Sequence, residues 1–175
     1  MWLKCLADLI FPRKCEICGR LLTGDERYIC EDCLEDMPLT YYWDWPENPA
    51  EKKLWVRTHL HRVIPLFFYT RESRYITLIH KIKYQGKAHL GHHMGFMLGE
   101  KLRGVLSDVD YVVPIPLHPI RRWRRGYNQA EIIAGGVTEA LFGKEKAKRH
   151  LRTDILKRVR YTRTQTKRKM DDKWS

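Results

Sequence analysis

Two sets of side chains in this sequence have the chemistry and the spacing to build a site. The first is four cysteines in two Cys-x-x-Cys pairs, Cys15-Glu-Ile-Cys18 and Cys30-Glu-Asp-Cys33, with eleven residues between the pairs. Cysteines two residues apart put both sulfurs on one tight turn, and two such turns give a tetrahedral four-sulfur site suited to zinc. Gly19 follows the first pair and lets the backbone turn where a Cβ would crowd it. Redox thiols or a disulfide pair are the competing readings. Two pairs at this spacing, with no helix-forming pattern behind either, favour metal. Cys5 lies outside the set, in an apolar stretch, and reads as a small buried hydrophobe.

The second set is basic: Arg121, Arg122, Arg124 and Arg125, in a segment that ends at Gly126. Guanidinium groups offer planar, paired donors to phosphate oxygens. The alternative is a solvated loop of spaced arginines. Context favours the phosphate role. An apolar run, Asp110–Pro116, precedes the loop, and Asn128 and Gln129 open a helix after it. A strand, a loop and a helix N-terminus in succession form the βα arrangement that offers phosphate sites. Gly126, Asn128 and Gln129 therefore join the arginines as candidate ligand-binding residues. No catalytic residue is assigned. Asp108 and Asp110 lie at the far end of the expected strand, and Glu131 is placed to cap its helix. His89 and His93 are four apart on a helical pattern, but no third ligand is placed to complete a metal site, so they read as surface histidines.

The charge supports anionic partners. The chain of 175 residues carries a formal net charge of +12. Residues 1–100 hold 14 basic and 13 acidic side chains, and residues 101–175 hold 19 and 8, so nearly all the excess lies in the second part. Such a field attracts phosphorylated small molecules or nucleic acid. No apolar run reaches the roughly 18 residues of a membrane span. The first apolar stretch is broken by Lys4 and Asp8, unlike a secretory signal, so the reducing cytoplasm is the expected compartment.

The elements that must position these residues follow from periodicity. Residues 1–37 form a zinc module, which begins with a helically spaced segment (Trp2, Leu3, Leu6, Leu9, Ile10). Residues 38–61, punctuated by Pro38, Pro46 and Pro49 and rich in Tyr and Trp, read as a linker. It either folds as a strap over a neighbouring core or offers rings to nucleic-acid bases. Residues 62–175 form the second domain. Strands are expected at Val63–Tyr69, Tyr111–Ile115 and Ile155–Arg160, and helices at Tyr75–Gly86, Leu90–Leu102 and Asn128–Leu141.

Three pieces in this order resemble the ComF family: the two cysteine pairs, the segment Val113-Pro-Ile-Pro-Leu-His-Pro-Ile-Arg-Arg-Trp-Arg-Arg-Gly-Tyr-Asn-Gln-Ala130, and Lys157-Arg-Val-Arg-Tyr-Thr-Arg-Thr-Gln-Thr166. The resemblance implies a cytoplasmic protein linked to natural competence and DNA uptake. Its expected fold is α/β: a small N-terminal four-cysteine zinc module followed by a type I phosphoribosyltransferase-like domain with a parallel sheet. It also implies that Pro114–Gly126 is the first core strand and pyrophosphate loop. Arg158, Gln165 and Arg168 would belong to a loop that closes over the ligand. The family's Asp-Asp-Val-x-Thr-Thr-Gly signature for phosphoribosyl pyrophosphate is absent, since Asp171-Asp172 runs into Lys173-Trp174-Ser175. The expectation is a chain lacking the C-terminal part of that domain. It would be inactive as an enzyme and would bind phosphoribosyl pyrophosphate only in a full-length form. The expected partners are single-stranded DNA or a phosphorylated small molecule, and a protein of the competence machinery.

Overall fold

A computed structural model describes residues 12–70, 72–106 and 108–161. Among these, the chain forms seven helices: α1 (Glu31–Glu35), α2 (Pro49–Trp55), α3 (Ile76–Tyr84), α4 (Ala88–Leu102), α5 (Pro119–Arg125), α6 (Gln129–Phe142) and α7 (Ala147–His150). The N-terminal segment at residues 2–10, Cys5, Gln165 and Arg168 lie outside the described residues.

The expected parallel sheet is not there. Among the described residues no strand forms, and β-pairing is confined to isolated bridges. The run Val63–Tyr69 contributes one antiparallel bridge, Leu39 to Phe67. Tyr111–Ile115 contributes one parallel bridge, in which the Val112 amide donates to His150 O (2.8 Å) and Arg152 N donates to Val112 O (3.1 Å). Ile155–Arg160 makes none. Proline accounts for the shortness of the first two. Pro65, Pro114 and Pro116 have no N–H, so each removes a ladder donor inside or just past the apolar run. The apolar, β-branched character that suggests strands is present; the donors needed to extend the pairing are not.

The centre of the fold is a helix pair, α4 against α6. Its apolar positions recur at helical spacing, and small residues set how closely the backbones approach. A Cβ on Gly95 would lie 2.0 Å from Ile133 O, and one on Gly136 would lie 2.0 Å from His92 O. Only glycine fits such a crossing. The far end of this pair, Leu102 and Val137, packs on Trp43 of the aromatic segment.

That segment folds back over the core and is held by a buried polar knot. Asn48 caps α2 and Glu51 completes a capping box with it. Both side chains are fully buried. The Glu51 carboxylate accepts hydrogen bonds from Arg62 Nε (2.8 Å), Val63 N (3.1 Å) and Asn48 N (3.1 Å). Arg62 also donates to the carbonyls of Tyr42 (2.9 Å) and Trp43 (3.2 Å). Burial pushes the Glu51 carboxyl up, but the bonds from Val63, Arg62 and Asn48 outweigh it and hold the group below its ordinary value. A depressed carboxyl contributes stability above its unfolded value, and that stability is lost as pH falls through the folded one. Glu51→Gln should therefore cost roughly 3 kcal/mol at neutral pH, by breaking a buried pair. The gap from wild type should close on acidification below the ordinary carboxylate range. Urea titrations at several pH values read this directly; a gap that is constant with pH would refute it.

Candidate zinc centre and basic helix

The first Cys-x-x-Cys sits on a tight turn. The Gly19 amide donates back to Cys15 O (3.0 Å), and Gly19 takes a φ of 79° that a side chain would oppose. The second pair opens α1, with Cys30 at its N-cap and Cys33 inside it, so a short helix forms where the sequence shows no helical pattern. The four sulfurs of Cys15, Cys18, Cys30 and Cys33 all lie within 4.8 Å of one another, and Cys18 Sγ is 3.6 Å from Cys30 Sγ. Tetrahedral zinc–thiolate bonds of about 2.3 Å require sulfurs about 3.8 Å apart. The residues present therefore fit a zinc ion.

The surroundings fit as well. The amides of Ile17 and Cys30 each donate to Cys15 Sγ at 3.4 Å. Burial pushes the Cys15 thiol up, but hydrogen bonds from Cys18, Cys30 and Ile17 outweigh it and bring it to about 6. Burial, reinforced by the other three sulfurs, pushes Cys33 well above its ordinary value. A divalent cation at this site would supply the positive charge that favours the thiolate form of Cys33 against its burial. Cys15, Cys30 and Cys33 are buried, whereas Cys18 is exposed.

Sequence reasoning did not find the residues that fasten this centre to the helices. Tyr75 Oη donates to Cys33 O (3.0 Å), and Arg74 pairs with Asp36 (2.7 Å). Lys81 Nζ reaches both the carbonyl and the carboxylate of Glu16 (2.8 Å each). Cys15, Cys30, Cys33 and Ile29 share one buried cluster with Leu78 and Ile82 of α3 and Leu90 and Met94 of α4. No local signal marks Tyr75 or Lys81, because their partners lie 42 and 65 residues away.

The arginine segment is a short helix rather than the expected loop. His118 caps α5 by accepting from Ile120 N (3.4 Å), Pro119 stands at its first turn, and Gly126 ends it at φ 80°. Arg121 lies over the Tyr161 ring (5.4 Å to the centroid) and Arg125 over the Tyr84 ring (5.5 Å). Arg125 Nη1 also donates to Gln129 Oε1 (2.9 Å), so the structure brings these two candidates together. Arg122 pairs with Glu131 (3.6 Å), which leaves the expected capping role of Glu131 to Asn128 alone. Asn128 accepts from Ala130 N (3.2 Å) and donates to Ile115 O (3.1 Å); both Asn128 and Gln129 are buried and serve the helix start. Arg124 is exposed, and Arg158 is half-buried on the returning segment that carries Tyr161. Of the histidines, His93 packs against the Tyr28 ring (5.3 Å), His92 approaches Glu139 (3.3 Å), and His89 is exposed.

Comparison with known proteins agrees with the metal centre. Residues 6–42 match the double zinc ribbon domain, which makes the N-terminal module a zinc ribbon. Over 93 residues the chain is also 29% identical to Competence protein F of Haemophilus influenzae, covering 50% of this chain and 38% of that protein. The chain therefore spans well under half the length of this relative. Both findings support the ComF resemblance. No solved structure matches. Nothing in the fold or the comparisons supports the phosphoribosyl pyrophosphate expectation. Among the described residues no helix is long and apolar enough to cross a membrane.

Proposed function

We propose that this chain is a zinc-stapled anion-binding protein of DNA uptake, which engages phosphate groups through α5 and its neighbours in the cytoplasm. The observation that carries the reading is α5 itself. It presents four arginines and no acidic residue, and Tyr161 and Tyr84 hold Arg121 and Arg125 in place. Guanidinium groups fixed in this way lose less side-chain freedom when they bind a phosphate. The link to uptake comes from the competence name of the relative. The zinc centre has a structural role, and the proposed role of α5 is binding rather than turnover. Near α5, Glu131 is occupied by Arg122.

The test is Arg121→Ala with Arg125→Ala, titrated with inorganic pyrophosphate and with single-stranded DNA. Charge-assisted contacts contribute roughly 1.5–3 kcal/mol each, so the double variant should bind at least about tenfold more weakly. Its zinc content should stay at the wild-type level. If it binds both ligands as wild type does, α5 is only a solvated surface.

A further inference from the structure

Two surfaces of the chain complement one another without meeting. The first is the outward face of α5. Arg121 and Arg125, four residues apart, are half-buried against the Tyr161 and Tyr84 rings. Ile120, Trp123 and Arg124 stand three and four apart on another face of the same helix, and all three are exposed. Trp123 is 86% accessible. An indole this open buries almost none of its apolar area within its own chain. Trp and Arg are among the side chains that most often anchor a protein interface.

The second surface is a groove of about 1050 Å³ between the zinc ribbon and the α4–α6 pair. That volume is at the upper end of the range for sites that enclose a drug-sized ligand. Its apolar walls are Tyr28, Ile29, Leu34 and Phe96. Its charge is acidic, with Asp25, Glu26, Glu31, Asp32 and Glu139 against Arg20 and Arg27. Glu26 is committed within the ribbon, where it accepts from Arg20 (2.8 Å) and from the amides of Thr23 (2.7 Å) and Glu31 (2.8 Å). Arg20 is held there, 3.5 Å from Asp32. Asp25, Glu31 and Asp32 are exposed at the rim, and Glu139 stands on the α6 side next to His92. No residue of α5 lines the groove.

We infer that the outward face of α5 docks into this groove on a second copy of the chain, with Trp123 between the apolar walls and Arg124 against the carboxylates. Charge complementarity selects the occupant. The chain carries a net +12, so copies of it repel one another in general. A contact between copies must therefore set the basic helix against the acidic groove. Pairing α5 with α5 would instead press two arginine clusters together. The apolar parts match as well, since an apolar knob flanked by arginine meets apolar walls rimmed by acid. Knob and groove are different surfaces, so the contact is head-to-tail. Each docked pair still offers one knob and one groove, and the assembly extends beyond two copies. The contact does not depend on the phosphate reading, whose test falls on Arg121 and Arg125.

Sedimentation velocity of the full chain, purified without chelator, tests this over a wide range of protein concentration. Wild type should pass from monomer to dimer and larger species as concentration rises, and added salt should shift it back. Trp123→Ala with Arg124→Ala removes the knob, and Asp25→Lys with Glu31→Lys reverses the rim of the groove. Each variant should associate with its own kind at least about thirtyfold more weakly, the loss expected when an interface anchor is removed. An equimolar mixture of the two should restore a dimer and nothing larger, because one keeps the groove and the other keeps the knob. Recovery in the mixture also shows that neither variant has lost its fold. Arg121→Ala with Arg125→Ala should assemble as wild type does; loss of assembly in that variant alone would overturn the choice of face. A wild type that stays monomeric at every concentration would overturn the contact and leave the groove to a different protein. Assembly that persists in both variants, or a mixture that forms no dimer, would overturn the pairing of this knob with this groove.

Discussion

Removing zinc with a chelator should unfold more than the ribbon. Structural zinc in small ribbons contributes an apparent ~10–16 kcal/mol at neutral pH, which is comparable to the whole stability of a typical domain, about 5–15 kcal/mol. The ligands Cys15, Cys30 and Cys33 lie in the same buried cluster as Leu78, Ile82, Leu90 and Met94. Loss of the metal should therefore expose one side of α3 and release the Tyr75 bond to Cys33 O. Wild-type protein purified without chelator should hold about one zinc equivalent, at sulfur distances near ~2.3 Å. Cys18→Ser should mimic chelation, while Cys5→Ser should leave the zinc content unchanged. Hydrogen exchange along α3, before and after chelation, separates the possibilities. If α3 amides stay protected while the ribbon exchanges, the two parts are independent and the shared core does not couple them.

Gly95→Ala and Gly136→Ala should each destabilise the protein by about 3 kcal/mol or more, the upper end of overpacking costs. At both positions the added Cβ would meet a backbone carbonyl oxygen at 2.0 Å, Ile133 O or His92 O. A backbone cannot swing aside as a side-chain end can, so α4 and α6 must separate and give up contacts along their length. For a chain of this size, such a loss lowers Tm by roughly 6–12 °C. Gly135→Ala is the internal control. Its Cβ would find His92 Cδ2 at 3.6 Å, an ordinary contact. Alanine is also the better helix former there by up to about 1 kcal/mol. Equal effects at Gly135 and Gly136 would show that backbone crowding is not what selects glycine in this pair.

The parts of the structure that were legible in the sequence are those decided locally. The zinc ligands could be read because two Cys-x-x-Cys turns need only their own residues to aim the sulfurs. The helices α3, α4 and α6 could be read because the apolar residues Leu78, Ile82, Leu90, Met94, Ala134 and Val137 keep helical spacing. The strands failed because a strand exists only with a partner, and the prolines at 65, 114 and 116 limit pairing that the apolar pattern alone would allow. The α5 helix had its signals in place, Pro119 at the start and Gly126 at the end. The expected βα loop overrode them. The polar knot around Glu51 and the tie from Tyr75 to Cys33 stayed hidden, because each depends on residues brought together from distant parts of the chain.

The span of those ties also bears on how the protein is made. The Lys87 to Glu16 pair joins residues 71 apart, and the Lys81 to Glu16 bond joins residues 65 apart. At ribosomal rates of 5–20 residues per second, roughly 4–14 s separate the synthesis of Glu16 from that of Lys87. Once Cys33 is made, for most of that interval, the four thiols are complete on the nascent chain, but the helices that bury three of them are not. Metal capture competes in this window with oxidation of exposed sulfur. A thiol oxidised then would be carried into a chain whose core is built around it. The cell's supply of zinc to nascent chains, more than the affinity of the finished site, would then set the yield of intact protein.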